Sequence, residues 1–220
     1  MSDHIREEAR AARTCLVLAA ALVMPAAIGC AHGGQPGSGP PAALRAEGDW
    51  TVVDGIRLQR QRARVDCGPR ALAMVLERWG VDPAPALAID PGRTGASAAT
   101  LRERTRALGL AAFVFKGTLD DLGYEIDHAR PVVLGVVRQH GRYALTHYVV
   151  LVGHDQRRQR WLLADPGEGW TVVTSADLTK QWAPGGQVMM AVFPRAGAPG
   201  EPVAPPVDRP PVDQSADRAS

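Results

Sequence analysis

One cysteine, one histidine and one aspartate in this chain have the types and the placement for nucleophilic chemistry. Cys67 stands in Asp66-Cys67-Gly68-Pro69, at the head of a stretch with apolar residues at Leu72, Val75, Leu76 and Trp79. That i, i+3, i+4, i+7 spacing predicts an amphipathic helix over Pro69–Trp79, stopped by Gly80. A thiol at a helix N-terminus meets unsatisfied N–H groups and the positive end of the macrodipole, and both favour thiolate over thiol. His147 opens the β-branched run His147-Tyr148-Val149-Val150-Leu151-Val152-Gly153, which predicts a buried central strand. A hairpin turn over Gly153–Arg158 leads into a second strand, Gln159–Ala164, which ends at Asp165-Pro166-Gly167. In an antiparallel hairpin the start of one strand lies beside the end of its partner, so His147 and Asp165 become neighbours. A carboxylate there fixes the imidazole tautomer and stabilises the imidazolium that forms when the ring takes a thiol proton. Each residue alone has a plainer reading, a structural histidine or a turn aspartate. Their coincidence in the order Cys, His, Asp is what points to thiol chemistry.

The elements that must position these groups follow from the same patterns. Ser97 or Ala98 starts a second helix that runs to Ala107 or Leu108, with Gly109 as its stop. Ala111–Phe115 reads as a strand, Leu119 to about His128 as a short helix, Val132–Arg138 as a strand after Pro131, and Val188–Phe193 as a last strand. Helices first and antiparallel strands second is an α+β pattern, with the thiol helix packed on a sheet.

Several other constellations invite a bland reading. His154-Asp155 follows His147 closely enough to suggest a metal site, but adjacent residues on a strand and turn face different ways, and a hairpin turn accounts for them. No metal is expected. Gly92-Arg93-Thr94-Gly95-Ala96-Ser97 reads as a loop ending in an N-cap at Ser97 and lining a cleft. His128 and His140 fall in predicted surface turns, and Trp79, Trp161, Trp170 and Trp182 read as core or cleft wall. Arg57, Arg60, Arg62 and Arg64 cluster just before Cys67; they suit a solvated segment, with an acidic partner as the sharper alternative.

The motifs together resemble cysteine peptidase family 39, the papain-like domains that process bacteriocin leader peptides at double-glycine sites. The resemblance rests on Gln61, Asp66-Cys67-Gly68-Pro69 with Ala71-Leu72-Ala73-Met74-Val75, Gly95-Ala96-Ser97, His147-Tyr148-Val149-Val150 and Asp165-Pro166, and spans roughly Thr51 to Phe193. It implies a papain-like fold in which Cys67 is the nucleophile, His147 the general base and then acid, and Asp165 the orienting carboxylate. It also implies Gln61 as the oxyanion-hole donor, with Gln59 as the rival for that role, and Gly68, Gly95, Ser97 and Tyr148 as substrate contacts. Exporter-fused members carry membrane-spanning helices and an ATPase. This sequence has neither, and it has no GxxxxGK[ST] phosphate loop, so no ATP and no other cofactor is expected. Arg70 stands where small residues are commoner in the family, which implies altered substrate contacts.

The ends of the chain have a different character. Residues 1–29 read as a signal peptide, with Arg6, Arg10 and Arg13 before the apolar stretch Cys15–Ala27. Ala27-Ile28-Gly29-Cys30 resembles a bacterial lipobox, which implies cleavage before Cys30 and lipid on its sulfur. Cys15 would then leave with the signal, Cys67 would stand alone, and no disulfide framework is available. Residues 30–48, rich in Gly, Pro and Ala, suit a flexible tether, and residues 195–220 a disordered Pro-rich tail that is a candidate for contact with a partner. Residues 49–194 between them are long enough for one well-packed domain. Ala31 lacks the aspartate associated with inner-membrane retention, which points to an outer-membrane lipoprotein facing the periplasm or cell exterior. The formal charge of +2 over 220 residues gives no sign of nucleic-acid binding. A lipid-anchored peptidase acting on a peptide or protein is therefore the leading expectation. A catalytically idle binding domain is the first alternative. An NlpC-type peptidoglycan amidase is the second, although those enzymes carry Asp-Cys-Ser-Gly rather than Asp-Cys-Gly-Pro.

Overall fold

The computed structural model describes residues 34–140 and 143–195. Cys15, Cys30 and the expected signal, lipobox and C-terminal tail beyond Arg195 lie outside the described residues. Among the described residues, a twelve-residue helix, α2 (Cys67–Arg78), follows a five-residue one, α1 (Ala42–Ala46), and a short strand, β1 (Thr51–Val52). Then come α3 (Ala84–Leu87), α4 (Ala98–Ala107), β2 (Leu110–Lys116), α5 (Leu119–Asp127), β3 (Val132–His140) and β4 (Tyr143–Asp155). The chain continues through β5 (Arg160–Asp165), β6 (Gly169–Thr174), α6 (Ser175–Trp182), a 3-10 turn over Ala183–Gly185, and β7 (Val188–Pro194). The strands form one antiparallel sheet in the order β2-β7-β3-β4-β5-β6, with β1 paired to the far end of β4.

The local causes of the predicted elements are those the sequence suggests. Gly80 and Gly109 end α2 and α4 in the left-handed conformation, at φ of 67° and 89°. Ser97 caps α4 by accepting the Thr100 N–H at 3.0 Å, and Thr118 caps α5 in a capping box with Asp121. The α2 helix is less one-sided than its spacing suggests. Ala71, Leu72, Ala73, Met74, Val75 and Leu76 are all fully buried, because α3 and α4 cover the side that β3 and β4 leave open. Each large aliphatic side chain buried this way contributes about 1.5–3 kcal/mol, which fixes the helix that carries Cys67.

Four differences from the sequence reading bear on the site. First, His147 does not open its strand: β4 begins at Tyr143, and residues 143–146 pair with 137–140 in a ribbon that overhangs the core. The apolar run marks only the buried part of the strand, and the overhang has exposed positions at Ala144 and Thr146. Second, β3 runs on to His140, so this residue ends a strand rather than occupying a turn, whereas His128 does lie in the turn that follows α5. Third, β6 and α6 were not foreseen and separate the predicted strands, so the helices do not all precede the sheet. The Trp170-Thr171-Val172-Val173 run and the Thr174 cap, which accepts the Asp177 N–H at 3.1 Å, were their signals. Fourth, part of the segment expected as a tether lies against the domain. The Gly37 N–H donates to the Leu58 carbonyl and the Ser38 carbonyl accepts the Leu58 N–H, the Ser38 hydroxyl accepts the Trp170 Nε1–H at 3.1 Å, and Leu44 is buried.

β4 changes partners along its length, and Gly153 makes this possible. Its register with β5 slips between Leu151 and Gly153, and β1 pairs across Gly153 and His154. A Cβ at Gly153 would stand 2.8 Å from the Thr51 carbonyl oxygen and 3.3 Å from Val52 Cγ2. We expect Gly153→Val to lower the unfolding free energy by about 1–3 kcal/mol through this backbone crowding. Urea denaturation checks it, and an unchanged midpoint would show that β1 is not held by close approach at this glycine.

Candidate active site

Cys67 is the first residue of α2 and is buried. Asp66 occupies the N-cap position, yet its carboxylate does not cap the helix. It turns back instead, accepting the N–H groups of Arg62 at 3.1 Å and Ala63 at 3.2 Å, and it pairs with Arg70 Nε at 3.2 Å. The loop before the helix is thereby closed on itself, and the first helical N–H groups are left for the sulfur. Cys67 Sγ receives the backbone N–H groups of Gly68 and Tyr148 and is hydrogen-bonded to the His147 ring. Arg70, expected to reach toward substrate, is engaged by Asp66 along its own helix.

His147 lies opposite Val136 in the β3–β4 ribbon. Val150 pairs with Ala164, so Asp165 stands level with Val149, two residues from His147 and on the same side of the strands. His147 Nε2 donates to Asp165 Oδ1 at 2.7 Å, which leaves Nδ1 for Cys67. Asp165 is completely buried, and each of its oxygens is satisfied. Oδ1 also accepts the N–H groups of Gly167 at 2.7 Å and Glu168 at 3.2 Å, and Oδ2 accepts Arg138 Nη2 at 2.6 Å. Arg138 was missed in the sequence. It sits two residues beyond Val136, the partner of His147, so the strand register itself places it on the same face.

Burial opposes charge on all three groups, and local contacts overcome it. The Cys67 thiol is pushed up by burial, but the hydrogen bond with His147 and the N–H groups of Tyr148 and Gly68 bring it below the ordinary thiol value. Burial disfavours the His147 imidazolium, yet its bonds to Asp165 and Cys67 raise the ring to about 9. Asp165, despite its burial, is held below the usual carboxylate range by the bond from His147 and the charges of His147 and Arg138. The shifts of the first two groups have the same consequence: the proton favours the imidazole over the sulfur.

Gln61 is anchored by its N–H to the Pro166 carbonyl at 2.9 Å, within the turn that carries Asp165. A Cβ on Gly167 would stand 3.3 Å from Asp165 Oδ1 and 3.6 Å from both Gln61 Oε1 and His147 Cε1, so three of the predicted site residues converge on this glycine. Gln59 is drawn elsewhere: its Nε2 donates to Glu77 on α2 at 2.9 Å. Two cavities flank the thiol. One of about 570 Å³ is lined by Cys67, Tyr148, the Arg93–Ser97 loop and Ala144–Thr146. The other, about 480 Å³, is lined by Gln61, Arg138, His147, Gly167 and Glu168, and Arg64, Leu145 and Thr146 border both. Gly95, Ser97 and Tyr148 thus face the cleft, whereas Gly68 does not line it. Gly68 is buried where a Cβ would come 3.1 Å from the Tyr148 ring, so its role here is packing. His154 is bound to Asp127 at 2.8 Å and Asp155 to Arg160 at 2.6 Å, and no group of three metal-ligating side chains occurs among the described residues. Trp161, Trp170 and Trp182 are buried, and Trp79 packs partly buried against the core.

Similarity to known proteins agrees with this architecture. The peptidase domain of Streptococcus ComA, a bifunctional ABC transporter involved in quorum sensing, superposes with a TM-score of 0.53 at 22% identity, over 63% of this chain and 98% of that one. A double-glycine motif protease from an AMS/PCAT transporter, solved with its leader peptide, gives 0.52 at 20% identity over 66% and 97%. A C39-like peptidase from Bacillus anthracis gives 0.52 at 17% over the same shares. These likenesses show that the fold is that of the papain-like C39 peptidase domains. No curated protein sequence matches the chain. The sequence model of the peptidase C39 family matches residues 56–196, most of the length, and the chain belongs to that family.

Proposed function

We propose that this protein is a cysteine peptidase that hydrolyses peptide bonds through a thioester on Cys67, anchored outside the cytoplasm by lipid on Cys30. The observation that carries the catalytic reading is the hydrogen-bonded chain from Cys67 through His147 to a buried, fully satisfied Asp165. The Cys67 thiolate attacks the scissile carbonyl carbon, and the carbonyl π pair moves onto oxygen. The Gln61 side-chain amide and the Cys67 N–H receive that oxyanion, where each donor is worth about 3–4 kcal/mol. His147 passes its proton to the leaving nitrogen as the C–N bond breaks, giving a free amine and the thioester. A water then attacks with His147 as base, the C–S bond breaks, and the acid leaves with thiolate and imidazolium restored. Asp165 keeps the ring in the tautomer both steps need, and Arg138 holds Asp165 ionised. Gly95, Ser97 and Tyr148 contact the substrate.

A bond after small, Gly-Gly-like residues is the preferred cleavage site, supported by family membership and by the relative solved with a double-glycine leader peptide. The lipobox at Ala27–Cys30 supports the anchor, and the outer membrane is its proposed location. Among the described residues no helix is long and apolar enough to cross a membrane.

Two measurements test the catalytic reading. Iodoacetamide alkylation of Cys67 should titrate well below the ordinary thiol pKa of about 8.5, and should move back toward it in His147→Ala. The same ordinary titration in both proteins would mean no working thiolate–imidazolium pair, and the idle binding domain would become the better reading. Peptide hydrolysis should decline as pH rises through about 9, where His147 loses the proton it must donate.

Gln61→Ala should lower kcat on a Gly-Gly peptide about 10²–10³-fold while leaving the alkylation profile of Cys67 unchanged. Equal loss in Gln59→Ala, or none in Gln61→Ala, would remove Gln61 from the oxyanion hole.

A further inference from the structure

The arginines ahead of Cys67 acquire a purpose once the cleft is in view. Arg64 borders both cavities beside the thiol, and Arg93 lines the larger one from the loop before α4, where a Cβ on Gly95 would stand 3.6 Å from the Val65 carbonyl oxygen. Both side chains are exposed, and neither has an ion-pair or hydrogen-bond partner among the described residues. Arg70, Arg130, Arg138 and Arg160, by contrast, are each held by a carboxylate and have no free charge to offer the cleft. Apart from the Cys67 thiolate, the 570 Å³ cavity has no acidic group in its lining, and its other charged side chains, Arg64 and Arg93, are cationic. His147, whose ring is raised to about 9, stands next to it and offsets the thiolate at neutral pH, which leaves Arg64 and Arg93 as the net charge on this side. The 480 Å³ cavity is different: Glu168 lines it, 3.6 Å from Arg138. The field across the thiol is therefore lopsided, positive on the Gly95–Ser97 side and mixed on the Gly167–Glu168 side. Low-dielectric walls focus such a field onto whatever enters.

We propose that the cleft selects acidic peptides, with a carboxylate near the scissile bond on the Gly95–Ser97 side seated by Arg64 and Arg93. Guanidinium groups suit this task, since each offers paired N–H donors to a carboxylate and stays charged at every working pH. The identity of the substrate rests on the peptidase reading, but capture of a carboxylate beside Cys67 does not.

The test separates the two. Alkylation of Cys67 by iodoacetate, which carries a carboxylate, is compared with alkylation by neutral iodoacetamide, in the full chain and in Arg64→Gln, Arg93→Gln and the double variant. Both positions are exposed, so the fold should survive, and circular dichroism checks this. The iodoacetate-to-iodoacetamide rate ratio should fall about 3–10-fold in the double variant at low salt, and the difference should shrink at about 0.5 M salt. In parallel, peptides with a central Gly-Gly bond carry Glu or Gln at successive positions on either side of it. Wild type should favour Glu over Gln by about 5–20-fold in kcat/KM on one side of the bond only, and the double variant should lose most of that preference. A rate ratio unmoved by both substitutions, or equal cleavage of Glu and Gln peptides, overturns the proposal. If neither peptide is cut yet the ratio falls as expected, the peptidase reading fails alone and carboxylate capture by the cleft is upheld.

Discussion

The site depends on one buried carboxylate. Asp165 is removed from water entirely, and an unpaired charge in that position would cost several kcal/mol. Four donors meet it: the His147 ring, the Gly167 and Glu168 N–H groups, and the Arg138 guanidinium. The turn after β5 is thus shaped by the same atom that orients the imidazole. That turn in turn fixes Gln61 through the Pro166 carbonyl, so the base and the proposed oxyanion donor share one support. Arg138 closes the arrangement from β3 and leaves the carboxylate ionised while the ring carries its proton.

A second constraint acts at the other end of the proton path. A carboxylate capping α2 would place negative charge against the sulfur and oppose its ionisation. Asp66 avoids this by folding back onto Arg62 and Ala63 and by pairing with Arg70. Helix α2 gives up a side-chain cap, ordinarily worth about 1 kcal/mol, and the freed N–H of Gly68 points to Cys67 instead. Burial of the rest of the helix supplies the stability that the missing cap does not.

Much of this was legible in the sequence, and what was not has physical reasons. Helix limits at Gly80, Ser97 and Gly109 are local backbone and capping chemistry, which short windows of sequence carry. The meeting of His147 and Asp165 follows from antiparallel pairing even though the strand starts four residues earlier than its apolar run. Arg138 could not be singled out in the same way, because a strand arginine looks solvated until its neighbour across the sheet is known. Spacing alone favours Gln61 over Gln59; what sequence could not show is that Glu77, far along α2, binds the Gln59 side chain. The Pro- and Gly-bearing stretch from residue 34 looked like a linker by composition, yet Ser38 and Leu44 find partners on the domain that composition cannot reveal.

The overhang of β3 and β4 has a mechanical consequence. β7 supports β3 only as far as Leu134, and β5 joins β4 only from Val150 onward. Between these limits neither strand has a second hydrogen-bonded strand beside it; the 3-10 turn approaches β3 at Gly135, Arg138 and His147 reach Asp165 from partway along, and the cleft wall Ala144–Thr146 lies farther out. Cys67 and Asp165 belong to other elements, α2 and β5, so the imidazole on this ribbon meets both of its partners across an element boundary. The wall that lines the cleft at Ala144–Thr146 and the base that serves the thiol are thereby consecutive residues of one strand, and the placement of one sets that of the other.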